Sequence, residues 1–294
     1  MSECIGQLLK QATATLVDSP SSRLDAEVLL AWVLGRDRSY LFSHPEAVLS
    51  EQQSNAYSNL LARRAAGEPV AYLCGSRGFW TLELTVTPAV LIPRPETELL
   101  VELALELGRG ISERQPGKPV TVADLGTGSG AIALALASEH RQWQVYATDR
   151  SAQALAVAQT NAARLQLEQV HFAQGDWCDA LPAGVCFDMI ISNPPYIAGD
   201  DPHLGQGDLR FEPRSALVAD ARGLADLEAI CQQSRSWLGE GGFLLLEHGH
   251  EQGHEVRALL ASRRFAEVHS RRDLAGHERV TLGRLLPSGE ISDA

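Results

Sequence analysis

None of the five cysteines (Cys4, Cys74, Cys178, Cys186, Cys231) forms a Cys-x-x-Cys pair, and their number is odd. That pattern lacks the ligand spacing of a zinc ribbon and the frame of a disulfide-stapled domain, so reduced thiols in a cytoplasmic protein are expected. Positive charge is also short. The net charge is -12, and residues 1–75 carry 6 basic against 8 acidic side chains, leaving 19 against 29 for the remainder. A balance this acidic disfavours loose association with phosphates, so no stable nucleic acid binding is expected. No apolar run reaches the length of a membrane span. The start, "MSECIGQLLKQ", has no basic stretch leading into an apolar one, so no signal peptide is expected either. There is no internal repeat. What remains is 294 residues, 45% hydrophobic and 21% charged, enough for one large domain or two unequal ones.

The first 72 residues read as a small helical domain. In "SSRLDAEVLLAWVLG" the residues Leu24, Val28, Leu29, Trp32 and Val33 share one helical face, Ser21 or Ser22 can cap the start, and Gly35 stops it. "SEQQSNAYSNLLARRAAGEP" repeats the pattern, with Ser50 as cap and Gly67 and Pro69 as terminator. "FWTLELTVT" alternates as a strand does, and "VAYLCG" before it predicts a hairpin linker over residues 73–90. From residue 91 the chain opens with "PRPETELLVELALELG", a proline- and acid-started helix. Beyond Val120 it alternates strand, glycine and helix, ending in two runs, "FAEVHS" and "RVTLGRLL", that suit an antiparallel pair. This rhythm predicts a mostly parallel sheet with helices on both faces over residues 91–294, with ligands at the carboxyl ends of its strands. The tail "PSGEISDA" is polar and expected to fray.

Three motifs fall at such strand ends. "DLGTGSGAIAL" sets Gly126, Gly128 and Gly130 between a strand and a helix, where glycines let a ligand approach the backbone amides. Asp149 closes the next strand, placed for the two ribose hydroxyls of a nucleoside cofactor. The loop also satisfies the dinucleotide fingerprint through Gly126, Gly128 and Ala131, so a nicotinamide enzyme is an alternative at this point. "AQGDW" ends the third strand with Asp176 and Trp177, an acceptor and an aromatic beside the place of a base. "NPPY", Asn193 with Pro194, Pro195 and Tyr196, ends the fourth. The Asn193 side-chain oxygen and the next backbone carbonyl are two acceptors held stiffly by prolines, and Tyr196 can stack on a flat group. Together they suit a planar NH2 and offer nothing for hydride transfer.

These residues carry a resemblance. "NPPY" after the fourth strand and "DLGTGSG" after the first resemble the class I S-adenosylmethionine-dependent amino methyltransferases. Over roughly residues 20–285 the chain is similar to the HemK/PrmC family, through "IPRPETE", "DLRFEPRSALVA" and "DLAGHERV". The resemblance implies a Rossmann-like seven-stranded sheet behind the helical domain. It implies methylation of the N5 amide of the glutamine in the Gly-Gly-Gln loop of peptide chain release factors. By the same resemblance Gly126, Thr127, Gly128, Ser129 and Gly130 hold the methionine and ribose of S-adenosylmethionine. Asp149 binds the ribose, Trp177 lies against the adenine, and Asn193 touches cofactor and substrate. Asn193, Pro194 and Tyr196 are the catalytic candidates, and Pro195 joins them in the substrate pocket. A monomer with a helical domain that docks the protein substrate completes the expectation.

Other classes compete. Glutamine methylation of a ribosomal protein needs the same site, and DNA or RNA amino methyltransferases share the four-residue turn. A non-catalytic cofactor-binding adaptor would not need the amine grip. His250, Glu251 and His254 spell H-E-x-x-H, the zinc metallopeptidase helix. Gly249 and Gly253 interrupt any helix there, and no third ligand has supporting context, so no metal is expected. The loop "AGDDPHLGQGDLRFEPR" is long for a compact domain, as lids and binding loops are, and carries Arg210 and Arg214.

Overall fold

A computed structural model describes residues 3–287; the tail expected to fray lies outside the described residues from 288 on. By its internal contacts the chain divides into two units. One runs up to Ser76 and includes Pro202–Phe211, and the other holds Arg77–Asp201 and the residues from Glu212 on.

The first unit is built from helices Ile5–Thr15, Ser22–Leu34, Arg38–Ser43, Glu51–Ala65 and Val70–Cys74. Ser50 caps the fourth: its hydroxyl accepts the Gln53 N–H at 3.2 Å, while the Gln53 side chain accepts the Ser50 N–H at 3.0 Å. Gly35 stops the second helix in the left-handed region, φ 60°. The buried face of that second helix differs from the one its apolar residues predict. Ala26, Leu29 and Leu30 are fully buried, whereas Leu24 and Trp32 are 44% and 49% exposed. The reason is polar. Tyr57 must donate its buried hydroxyl to the Ala26 carbonyl (3.0 Å), and Asp25 on the same side takes Arg64 at 2.8 Å with hydroxyl donors Ser19 and Ser21. Satisfying those groups turns the helix away from its largest residues. Ser21 thus donates to Asp25 rather than capping. Arg64 also reaches Asp208 at 2.9 Å, which ties the excursion at 202–211 into this unit.

"VAYLCG" is not a hairpin strand. Pro69 starts a helical turn there and Gly75, φ 69°, ends it. The hairpin consists of Ser76–Phe79 and Leu82–Thr85, with Trp80 in the left-handed region at the turn.

The second unit is a seven-stranded sheet: β1 Thr121–Leu125, β2 Gln144–Asp149, β3 Val170–Gln174, β4 Phe187–Ser192, β5 Leu238–Glu247, β6 Phe265–Arg272 and β7 Glu278–Leu285. Its spatial order is β6-β7-β5-β4-β1-β2-β3. All neighbours are parallel except β7, which is antiparallel to both β5 and β6. Side chains alternate between two cores. Val122, Met189, Ile191 and Leu245 pack with helices Glu98–Arg114 and Ala131–Glu139. Ala123, Ile190, Leu244 and Leu246 pack on the other face with helices Ala225–Ser234 and Gly253–Ser262. Both faces are therefore covered, as near-continuous apolar strands require. The carboxyl ends of β1 to β5 share one edge of the sheet, which gathers the turns after β1, β2, β3, β4 and β5.

Candidate functional site

The turn after β1 is held from below by Asp124, the one charged residue in that strand. It is wholly buried. One carboxylate oxygen accepts the Thr127 hydroxyl (2.6 Å) and the Ala133 N–H (3.2 Å), while the other has no partner. Burial pushes its pKa up to about 7, against the pull of those donors. Gly126, Gly128 and Gly130 all have positive φ, at 74°, 56° and 86°. Gly128 faces open space: a Cβ there would meet nothing within 4 Å, so a ligand can lie against its backbone. Gly126 instead carries the Trp177 ring, which a Cβ would meet at 3.1 Å. Asn161, fully buried in helix Ala152–Leu165, donates to the Ser129 carbonyl at 2.9 Å and exchanges two hydrogen bonds with the Thr85 backbone. It locks the turn to the hairpin.

Asp149 ends β2. One oxygen accepts the Gly128 N–H at 2.9 Å and the other the Ser151 N–H at 2.8 Å. Each oxygen keeps a lone pair, so the carboxylate braces the turn and has acceptor capacity to spare toward the cleft.

After β4, Asn193 donates its side-chain N–H to the Thr97 hydroxyl at 3.0 Å. Thr97 comes from the turn Pro95–Thr97 within "RPETE". Arg94 of the same segment grips Glu212, from "FEPR", through both carboxylate oxygens at 2.7 Å. Tyr196 turns its hydroxyl inward to Glu247, the last residue of β5, at 3.4 Å. Burial raises the Tyr196 pKa, with the Glu247 charge adding to it. The Tyr196 carbonyl accepts the Gln252 side-chain amide at 3.1 Å, and Gly223 presses on the same carbonyl so closely that no Cβ would fit.

One cleft collects most of these groups. It has about 980 Å³ of empty space, its open mouth included, within the range of small-molecule sites. Gly126, Thr127, Gly128, Ser129, Asp149, Trp177, Asn193 and Pro195 line it. Arg94, Thr97, Asp176, Asp226, Pro213 and Ser215 line it too. Of the residues singled out in the sequence, Gly130, Pro194 and Tyr196 do not. Gly130 starts helix Ala131–Glu139, Pro194 is buried, and the Tyr196 ring packs into the core on the face of Leu246. S-adenosylmethionine fits this donor set. Backbone amides and an acceptor carboxylate suit its polar groups, and the Trp177 ring and the carboxylates of Asp149, Asp176 and Asp226 border the same cleft.

Sequence reasoning passed over Asp124, Asn161, Glu247 and Gln252. The signal for two of them was present, an acid inside "VADLG" and an acid closing "FLLLE". Asn161 and Gln252 sit in polar helical sequence with nothing to set them apart. Of "HEQGH", it is Gln252 whose side chain reaches the Asn193 turn, at the Tyr196 carbonyl. His250 precedes the helix, which starts at Gly253, so His250 and His254 do not stand one turn apart on it. Among the described residues no three His, Cys, Asp or Glu side chains form a metal-holding group. No helix among them is long and apolar enough to cross a membrane.

Residues 7–75 match the PrmC N-terminal domain family, and residues 111–207 match the methyltransferase small domain family. The release factor glutamine methyltransferase of Salmonella typhimurium is 51% identical over 95% of this chain and 98% of its own. That of Pseudomonas aeruginosa is 52% identical over 92% and 95%. A methyltransferase from Pyrococcus furiosus, 16% identical, superposes with a TM-score of 0.51 over 78% of this chain and all of its own, a likeness of fold.

Proposed function

The chain belongs to the release factor glutamine methyltransferase family, and from that premise we propose that it methylates the side-chain amide nitrogen (N5) of the glutamine in the Gly-Gly-Gln loop of a peptide chain release factor, using S-adenosylmethionine. The observation that carries the reading is a single cleft lined together by the glycine turn, Asp149 and Asn193. S-adenosylmethionine brings a methyl group already activated on a sulfonium, so the protein's task is alignment.

An amide nitrogen is a poor nucleophile because its lone pair is delocalised into the carbonyl. Asn193 gives its N–H to Thr97, which leaves its oxygen as an acceptor for the substrate NH2. With the Pro194 carbonyl as second acceptor, both N–H bonds of the glutamine would be engaged. That raises charge on nitrogen and holds the lone pair in line. Pro195 and the segment around Arg94 and Glu212 bound the substrate side of the cleft. The helical unit serves as the docking domain for the protein substrate, and the enzyme works as a cytoplasmic monomer without stable nucleic acid or membrane partners.

Transfer of labelled methyl onto release factor, ribosomal proteins and DNA in parallel tests the reading. Label on the release factor, lost when its loop glutamine is changed to alanine, is expected. Label on DNA alone would overturn it.

A further inference from the structure

Glu247 is a carboxylic acid at the carboxyl end of β5 that none of the chemistry above uses. It is 1% exposed. One oxygen accepts the Tyr196 hydroxyl at 3.4 Å, and the other has no formed hydrogen bond. An acceptor left unspent in a core costs stability unless something nearby makes use of it. Ser192 pairs with Leu246 across β4 and β5, so Asn193 and Glu247 leave the sheet side by side, and Thr97, bonded to Asn193, is among the groups that favour the ionised carboxyl. Thr97 is itself 4% exposed, and its oxygen already receives the Asn193 N–H.

The two ends of an asparagine side chain have the same shape and opposite hydrogen-bonding character. Their orientation is set only by the partner. An ionised Glu247 with an oxygen unspent would draw the Thr97 proton and leave Thr97 only a lone pair for Asn193. Asn193 must then present N–H to Thr97 and its oxygen to the cleft. With a donor behind it, Thr97 would spend its proton on Asn193, and the carboxamide would turn its NH2 toward the substrate NH2. Two donors would then meet where an acceptor is needed.

We propose that Glu247 is a positioning residue for the methyl transfer assigned above, acting through the Thr97 hydroxyl to keep the acceptor end of Asn193 in the cleft. The proposal rests on that assignment. A second contact acts the same way, since the Tyr196 hydroxyl anchors the far end of the Asn193 turn to the same carboxyl.

The device is sensitive to pH. Burial pushes the Glu247 pKa up to about 7, opposed by Thr97, by Arg279 on β7 and by the Tyr196 hydroxyl, and reinforced by the negative charge of Glu96. Protonation below that value removes the charge and adds an O–H donor, so the carboxyl no longer claims the Thr97 proton as strongly. Turnover should therefore fall on the acid side with a midpoint near 7, while S-adenosylmethionine affinity stays level.

The isosteric pair Glu247→Gln and Thr97→Val, with Thr97→Ser as the conservative control, decides the matter in the full-length protein. Release-factor methylation, S-adenosylmethionine affinity by calorimetry and melting temperature are measured across pH 5.5–8.5. Both isosteric variants are expected to lose up to about a hundredfold in kcat, with cofactor affinity unchanged. Glu247→Gln should also lose the acid limb, Thr97→Ser should recover most of the turnover, and the double variant should lose no more than the worse single one. A folded Glu247→Gln enzyme with the turnover and pH profile of the parent overturns the role. Equal loss of cofactor affinity and turnover overturns it too, since that marks general damage to the cleft. A parent enzyme silent on release factor but active on another substrate overturns the assigned reaction instead.

Discussion

The turn after β1 and the turn after β4 end neighbouring strands and present opposite chemistry. The first is made of glycines in the left-handed region and offers backbone N–H groups, with Gly128 open to a ligand. The second is made of prolines and offers acceptors, with a side chain, Asn193, at its tip. Each is braced by a buried carboxyl that keeps one oxygen unpaired and has its pKa pushed up to about 7: Asp124 beneath the first turn and Glu247 beneath the second. The lesson is that a donor-presenting site needs backbone freedom plus a clamp on hydroxyls and amides. An acceptor-presenting site needs stiffness plus control over which way one amide points.

The sharpest way to break the comparison is Asn193→Ala, which removes the only side-chain acceptor of the second turn and leaves the first intact. Turnover should drop about a hundredfold to a thousandfold, as for loss of one transition-state hydrogen bond, with a smaller fall in cofactor affinity and the protein still folded. Near-parental turnover would deny the turn its role. Asp149→Ala should do the converse. Losing a charged hydrogen-bond acceptor costs about 1.5–3 kcal/mol, so S-adenosylmethionine affinity should weaken about tenfold to a hundredfold by calorimetry, with kcat at saturation changing less. Gly223→Ala attacks the second turn from behind, because the new Cβ would push the Tyr196 carbonyl while occupying φ 85°. Chemical denaturation should show a loss of about 1–3 kcal/mol, with turnover falling as well. The smallest effect concerns Asp124. Its folded pKa, about 7, lies above the ordinary 3.8, so the folded state holds a proton that the unfolded chain has released between those values. Its contribution is complete below pH 3.8 and is lost as pH rises through 7. Asp124→Asn should flatten the decline in melting temperature over that window relative to the parent; parallel curves would show that Asp124 does not titrate there.

Much of this was legible in the sequence because period and position carry it. The strand-glycine-helix rhythm gives the parallel sheet, and the carboxyl-end rule places Gly128, Asp149 and Asn193 together from sequence alone. What was not legible depends on partners distant in the chain. Apolar spacing put Leu24 and Trp32 inward, but Tyr57, 31 residues beyond Ala26, and Arg64, 39 beyond Asp25, decided the helix's orientation. The same holds for the site. Thr97 gains its meaning from Asn193, 96 residues on, and Tyr196 from Glu247, 51 residues on. In "HEQGH" the histidines match a spacing that the flanking glycines already argued against, and what the sequence did not reveal is that the glutamine makes the contacts. "VAYLCG" misled because an apolar run flanked by proline and glycine fits one helical turn as well as a strand.

The excursion at 202–211 has a consequence for synthesis. Arg64 leaves the ribosome 144 residues ahead of Asp208, the ion partner it keeps in the finished helical unit. At about 5–20 residues per second that interval is on the order of ten seconds. During that time the nascent helices must persist on their own core and on Asp25, with the last piece of their unit not yet delivered by the ribosome.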